Sequence, residues 1–337
     1  MIYRTMSQKP VIVVTAPEFK KASTVFEASP FQCVSSAPDE KSLSTAIRDS
    51  GASHAIVGIE SYCGPLYEAM KPGSVLARFG VGHDGIDKAR VARASILCTN
   101  TPGALDESVA EHAISLLLAA ARHTTQVAAA MARGDWTPLT GRELRGKTLV
   151  VTGCGPIGAA VARIAGTGFG MRVVGVIRNS QPRQPELFPE ITNNVSEAFS
   201  QADFVTLHIP ATAENKYFIN RERLVLLPSR AWLINTARGA VVDEAALYDA
   251  LAEARLGGAA LDVFETEPYV PVHPAKDLRT LPNAVLAPHI GSNTEDANRR
   301  MAEQAIRNIE FAEQDAFEQM NLLNPQVLEC LPRRSKI

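Results

Sequence analysis

Three ionisable residues follow short apolar runs in the second half of the chain: Arg238, Glu267 and His289. In open parallel sheets, ligands bind beyond the carboxyl ends of the strands, which is where these residues are expected to lie. An arginine can hold a carboxylate and polarise a carbonyl, and a histidine oriented by a glutamate can donate or accept a proton. This set of side chains suits the reduction of a 2-oxo acid.

Each of the three residues also has an ordinary structural explanation. An arginine after a strand is usually a solvated charge, a glutamate before proline often lies on a loop surface, and a single histidine is more often structural than catalytic. Their joint occurrence after strands of one sheet favours the catalytic interpretation.

A glycine-rich segment between an apolar run and a helical pattern matches GxGxxG. Gly153, Gly155 and Gly158 allow the backbone to turn sharply, approach a pyrophosphate and pack a helix against the strand. Pro156 falls in the first helical turn, where its missing N–H is harmless, and Ile157 follows it. We expect these residues to bind a dinucleotide.

The residue at the end of the next strand distinguishes the two nicotinamide cofactors. NAD-binding proteins carry an acidic residue there for the ribose hydroxyl, whereas an arginine favours the phosphate of NADP. This chain has Arg178 at that point, with Arg183 shortly after it. The sequence therefore favours NADP over NAD, although Arg178 can also be a solvated strand-end charge.

Alternating apolar runs and helical patterns predict an α/β protein with parallel sheets. We predict four strands in the first third of the chain, at residues 11–16, 55–59, 75–79 and 96–99. Six further strands, typical of a doubly wound dinucleotide-binding sheet, are predicted at residues 148–152, 172–177, 204–209, 232–235, 259–263 and 284–287.

Two long helical patterns lie beside the second set of strands, at residues 106–133 and 294–313. They predict two doubly wound, Rossmann-like domains joined by long helices. The first, discontinuous domain comprises residues 1–104 and 292–337 and binds substrate, and residues 105–291 bind the dinucleotide. A cleft between two such domains is the expected place for a small-molecule site.

Composition excludes several other classes of protein. The chain is 46% hydrophobic and 21% charged, with a net charge of −2 and no basic run for nucleic acid. The N-terminus lacks the apolar core of a secretory signal, and no segment is long enough to span a bilayer. Five widely spaced cysteines without a CxxC pair indicate reduced thiols, no metal site and a cytoplasmic location.

Several segments in order resemble the D-isomer-specific 2-hydroxyacid dehydrogenase family, which includes glyoxylate/hydroxypyruvate reductases and phosphoglycerate dehydrogenases. The resemblance covers nearly the whole chain. Its matching segments are ARFGVGHDGID (77–87), NTPGALDESVAEHA (100–113), GKTLVVTGCGPIG (146–158), INTARGAVVDEAAL (234–247), ALDVFETEP (260–268) and PNAVLAPHIGSNT (282–294).

The resemblance implies a role for each matching residue. Arg238 would bind the substrate carboxylate, His289 would be the acid/base, and Glu267 would be its carboxylate partner. The remaining implied contacts are with the cofactor, at Asp262, Thr236, Ala237, His208 and Pro210, and with the substrate, at Val81 and Gly82. His208 and Pro210 are nearly as well explained as structural residues, and the role of His83 is open.

The family implies reduction of glyoxylate or hydroxypyruvate to a D-2-hydroxy acid. Residues 57–62 lack the arginine with which phosphoglycerate-specific relatives hold a phosphate. Trp136 resembles a tryptophan that such reductases offer to a neighbouring subunit, which implies a homodimer, although an aromatic residue of the dimer interface is an equal explanation.

Two alternatives stay open at this point. One is a reductase for a 2-oxo acid with a bulkier side chain. The other is a dinucleotide-sensing binding protein like the corepressors of the same superfamily, which keep a similar set of arginine, glutamate and histidine. Formate dehydrogenases carry glutamine at the position of Glu267 and are therefore disfavoured.

Overall fold

The computed structural model of the protein describes residues 9–178 and 181–331. The chain divides into two compact units, the first of Met1–Leu105 with Asn293–Ile337 and the second of Asp106–Ser292. Each unit contains one sheet in which every paired strand is parallel to its neighbour. The prediction of an α/β protein with two parallel sheets is confirmed.

The first unit begins with a five-stranded sheet in the order β2-β1-β3-β4-β5. Its strands are β1 Val11–Thr15, β2 Gln32–Ser36, β3 His54–Val57, β4 Val75–Arg78 and β5 Leu97–Thr99. The helices between them are α1 Ala16–Lys21, α2 Ser23–Glu27, α3 Glu40–Ser50, α4 Pro65–Ala69 and α5 Lys88–Arg93. Strand β2 is added on one side of β1 and β3–β5 are added on the other, as in other doubly wound sheets.

The second unit has a seven-stranded sheet in the order β12-β11-β10-β9-β6-β7-β8. Its strands are β6 Thr148–Thr152, β7 Arg172–Val176, β8 Glu190–Thr192, β9 Phe204–Leu207, β10 Trp232–Asn235, β11 Gly258–Leu261 and β12 Ala284–Leu286. Its helices are α6 Asp106–Arg122, α7 Thr124–Ala132, α8 Pro156–Arg163, α9 Val195–Ser200, α10 Arg221–Val225 and α11 Glu244–Ala252. Strands β7 and β8 are added on one side of β6, and β9–β12 are added on the other. The glycine-rich segment after β6 therefore lies at the switch point, where ligands bind.

The last long helix, α12 Glu295–Glu313, completes the first unit and packs against β4. The Thr294 side chain accepts a hydrogen bond from the backbone amide of Ala297, which satisfies one of the free donors of the first helical turn. The helix predicted at residues 294–313 is confirmed.

Two edge strands were not predicted from the sequence. Both β2, at one edge of the first sheet, and β8, at one edge of the second, are largely solvent-accessible. They contain mostly polar residues, because only a buried strand needs a continuous apolar run. The second sheet therefore has seven strands rather than six.

The helix predicted at residues 106–133 is interrupted at His123. This residue has a left-handed backbone with φ of 55°, which ends α6 and starts α7. A left-handed residue cannot continue a right-handed helix. The single long helix was therefore a wrong prediction, whereas the end near Gly134, where φ is 81°, is confirmed. None of the described helices is both long and apolar enough to cross a membrane.

Candidate active site

His289 and Glu267 meet beyond the carboxyl ends of two neighbouring strands. Strands β11 and β12 pair in parallel, Glu267 follows the first and His289 follows the second. The Nδ1 atom of His289 lies 2.6 Å from Oε2 of Glu267. The contact fixes the orientation of the ring and leaves Nε2 as the nitrogen for proton exchange with a ligand.

Local charges keep Glu267 ionised. Burial alone would raise the pKa of its carboxyl. The pKa is nevertheless held below its ordinary value by the hydrogen bond and charge of His289, by the amide of Phe264 and by the charge of Arg238. The Phe264 amide donates to Oε1 at 3.0 Å, so each carboxylate oxygen has its own partner. An ionised carboxylate on Nδ1 stabilises the protonated imidazole.

Arg238 lies in a tight turn after β10, and Asn235 holds the turn closed. The Asn235 side chain accepts the amide of Ala237 at 3.0 Å and donates to the carbonyl oxygen of Arg238 at 2.9 Å. The charge of Arg238 reaches Glu267, since it contributes to the lowered pKa of that carboxyl. Sequence reasoning missed this role of Asn235, which is only 1% exposed in the structure; the available sequence signal was a polar residue at the end of an apolar strand.

The three glycines of the GxGxxG segment have the distinct surroundings that a dinucleotide loop requires. Gly153 has φ of 95°, and a Cβ at Gly158 would lie 2.1 Å from the Gly153 carbonyl oxygen. A Cβ at Gly155 would have no atom within 4 Å, and Gly155 is the N-cap of α8. The first and third glycines therefore permit the turn and the close packing of the helix, and the second leaves room for a phosphate at the helix N-terminus.

Other predicted cofactor residues follow the carboxyl ends of the same sheet. Thr236 is 8% exposed, and its hydroxyl is buried without a hydrogen-bond partner among the described residues, which fits a missing ligand. His208 contacts the Thr206 hydroxyl at 2.9 Å, and burial lowers its pKa to about 4, so it is neutral at pH 7. Pro210 and Arg178 are exposed.

Asp262 has a structural role in addition to its predicted contact with the cofactor. Its carboxylate is 1% exposed and accepts the amides of Ile290 and Gly291, each at 2.8 Å. Both oxygens therefore hold the loop that carries His289. Each oxygen keeps a second lone pair, so the predicted contact with the cofactor is compatible with this arrangement.

Val81 and Gly82, the other predicted substrate ligands, belong to the first unit. They follow Gly80, which has φ of 138° and donates its amide to the Thr101 hydroxyl at 3.0 Å. The Asn100 side chain donates to the Val81 carbonyl oxygen at 2.9 Å. Asn100 and Thr101 thus shape this loop, and neither was singled out from the sequence.

Comparisons with known proteins agree with this geometry. Residues 114–291, all within the second unit, match the model of the D-isomer specific 2-hydroxyacid dehydrogenase NAD-binding domain. The chain is 40% identical to the glyoxylate reductase of Thermococcus litoralis, over 77% of this chain and 79% of that protein. It is 38% identical to the hydroxypyruvate reductase of Thermotoga maritima, over 72% of this chain and 79% of the relative.

The fold has a solved counterpart in the NADPH-dependent glyoxylate/hydroxypyruvate reductase of Sinorhizobium meliloti, determined in complex with NADP and malonate. The TM-score is 0.80 at 30% identity, over 97% of this chain and 100% of that chain. The same family is indicated by the sequence motifs, by the family model and by the relatives. The chain belongs to the D-isomer-specific 2-hydroxyacid dehydrogenase family.

Proposed function

We propose that this protein reduces glyoxylate, hydroxypyruvate or a similarly small 2-oxo acid to the D-2-hydroxy acid with NADPH. The observation that carries the proposal is the 2.6 Å contact between His289 and an ionised Glu267, within electrostatic reach of Arg238. The relatives named glyoxylate and hydroxypyruvate reductases support the choice of substrate class.

The side chains divide the work of the reaction. Arg238 pairs with the substrate carboxylate and polarises the carbonyl oxygen, which increases the electrophilicity of the carbonyl carbon. The bound dinucleotide supplies the hydride. Protonated His289 gives the proton from Nε2 to the carbonyl oxygen, and Glu267 stabilises the protonated ring before this transfer. In the oxidative direction, neutral His289 accepts the hydroxyl proton.

Arg178 supports the preference for NADPH. It lies one residue beyond Ile177, just past the end of β7, where an acid would select NAD, and it is exposed. Arg183 is anchored beside the glycine loop, because its amide donates to the Cys154 carbonyl oxygen at 2.9 Å. Two guanidinium groups near the adenosine ribose would favour a phosphate on that sugar.

We further propose that the second unit binds the dinucleotide and that the first unit binds substrate. The boundaries predicted from sequence, 1–104 with 292–337 and 105–291, lie within one residue of the two compact units. Val81 and Gly82 as substrate ligands, and a cytoplasmic location, stay predictions.

A homodimer is part of the proposal. Helix α7 buries none of its residues within this chain. Met131, Trp136 and Leu139, on and just after this helix, are 52%, 84% and 47% exposed. A run of exposed apolar side chains of this kind is typical of a protein interface, and a second copy of the chain is its proposed partner.

The test is product analysis with the purified protein. Hydroxypyruvate is incubated with NADPH or NADH, and the product is separated by chiral chromatography. We expect one D-glycerate for each NADPH oxidised, and slower conversion with NADH. If neither small nor bulkier 2-oxo acids are converted although the dinucleotide binds, the protein is a dinucleotide-sensing binding protein instead.

A further inference from the structure

Three successive backbone amides of the loop that carries His289 converge on Asp262. The amide of His289 donates to the Asp262 carbonyl oxygen at 2.8 Å. The next two amides, of Ile290 and Gly291, donate to Oδ1 and Oδ2 of the Asp262 carboxylate. His289 itself has φ of 54°, a left-handed conformation that is uncommon for residues other than glycine. Asp262 therefore fixes the backbone from which the acid/base side chain projects.

A second histidine, His112, lies against this carboxylate from helix α6. Its Nε2 atom is 3.2 Å from Oδ1 of Asp262, and its side chain is 15% exposed. The two atoms lack the alignment of a hydrogen bond, so the imidazole and the carboxylate are in close contact without one. A Cβ at Gly291 would lie 3.0 Å from Oδ2 of Asp262 and 3.5 Å from Cδ2 of His112. Carboxylate, imidazole and loop are thus packed together without intervening space.

A carboxylate that is 1% exposed needs a compensating positive charge or donor, because burial of an isolated charge is costly. Two amides supply part of that compensation. The His112 ring, with Nε2 3.2 Å from Oδ1, packs against the carboxylate and limits where it can move. Without it, Asp262 would hold the two amides less firmly, and the loop at residues 289–291 would sample other conformations.

We propose that His112 is a positioning residue for proton transfer, which acts through Asp262 on the loop that carries His289. The expected effect on turnover rests on the proposed function, whereas the expected effect on the loop at residues 289–291 does not depend on it. His112 reaches the site through its contact with the Asp262 carboxylate. Its removal should therefore reduce turnover while substrate affinity stays nearly unchanged.

The test compares His112→Leu, which removes the ring nitrogens, with His112→Gln, which keeps a donor but not a charge. Glu111→Gln, an exposed neighbour on the same helix, is the matched control. For the leucine variant we expect kcat to fall about tenfold, since a small misplacement of a catalytic group has effects of this order or more. We expect KM for glyoxylate to change less than about twofold. The glutamine variant should recover part of kcat, and the control should match the wild type.

Hydrogen exchange of the Ile290 and Gly291 amides provides a readout that is independent of turnover. We expect the exchange of these two amides to accelerate in His112→Leu by a larger factor than the exchange of the β6 amides, while the melting temperature falls because a buried carboxylate has lost a neighbour. If both the exchange and kcat of the leucine variant equal those of the wild type, the proposal is wrong. If that variant does not fold, His112→Gln decides, since unchanged exchange and kcat there would reject the proposal. A wild type without turnover would reject the proposed function alone, because exchange would still test the positioning role.

Discussion

Oε2 of Glu267 lies 2.6 Å from Nδ1 of His289, while Oε1 of the same carboxylate accepts the amide of Phe264 at 3.0 Å. The carboxylate is therefore held by its own loop and presented to the imidazole in one orientation. This relationship explains how a pair of residues on separate loops acts as one proton-transfer unit.

Glu267→Gln should reduce kcat for glyoxylate by about 100-fold, because a neutral amide does not stabilise the protonated imidazole. The hydrogen bonds of Glu267 are with His289 and the Phe264 amide, neither of which is a predicted cofactor contact, so the affinity for NADPH should be unchanged. Steady-state NADPH oxidation and a fluorescence titration of the cofactor measure the two quantities. Glu253→Gln, at an exposed position, is the control, and an equal kcat in both variants would remove Glu267 from the mechanism.

Glu244 should make folding stability fall as pH rises. Burial, opposed by the hydrogen bond from the Glu265 amide and aided by the charges of Glu265 and Glu267, raises its pKa from an ordinary 4.5 to about 7. Between these values the folded protein keeps a proton that the unfolded chain has released. Raising the pH through this range therefore favours unfolding, by up to about 3 kcal/mol.

Glu244→Gln removes this titration. The free energy of unfolding of the variant minus that of the wild type should increase between about pH 5 and about pH 8, because only the wild type loses stability there. Urea unfolding at several pH values measures the difference. A difference between Glu244→Gln and wild type that does not change with pH would contradict the raised pKa of Glu244.

Alanine at two glycines of the dinucleotide loop should have separable effects. Gly155→Ala adds a Cβ with no protein atom within 4 Å, so stability should change by no more than about 1 kcal/mol. The added methyl group occupies phosphate space, and the Kd for NADPH should rise at least about tenfold, or ~1.4 kcal/mol. Calorimetry measures both quantities.

Gly158→Ala places a Cβ 2.1 Å from the Gly153 carbonyl oxygen, so it should lose both binding and about 1–3 kcal/mol of stability. If Gly155→Ala instead binds NADPH as the wild type does, the pyrophosphate does not bind at this helix N-terminus.

Arg178→Ala should raise KM for NADPH about tenfold and leave KM for NADH nearly unchanged, because only NADPH carries the ribose phosphate. The ratio of kcat/KM for the two cofactors measures the preference. Arg299→Ala, which removes an exposed guanidinium of the first unit, controls for net charge. A parallel loss with both cofactors would argue against recognition of the phosphate by Arg178.

The elements that the sequence predicted best are those buried along their whole length. Strands β6 and β10 are buried at every residue, so the apolar run and the strand have the same bounds. Edge strands β2 and β8 are only partly buried and mostly polar, and their sequences carry no such signal. The break at His123 depends on a local left-handed conformation that a helical composition does not reveal.

The candidate site divides in the same way. Arg238, Glu267 and His289 were predicted because each follows a strand and has a side chain suited to the chemistry. Asn235, His112 and Glu244 were not predicted, because their roles depend on contacts with particular backbone amides or with a buried carboxylate. Such contacts form within a tight turn or between segments that are distant in the sequence. A hydrophobic pattern does not predict either kind of contact.

The most direct measurement is the rate of glyoxylate reduction by NADPH for the wild type, His289→Ala and His273→Ala. His273 is an exposed histidine of the same unit and serves as the control. We predict that His289→Ala lowers kcat by at least about 100-fold with NADPH still bound, and that His273→Ala behaves as the wild type. Turnover of His289→Ala at the wild-type rate would contradict the assignment of His289 as the proton donor.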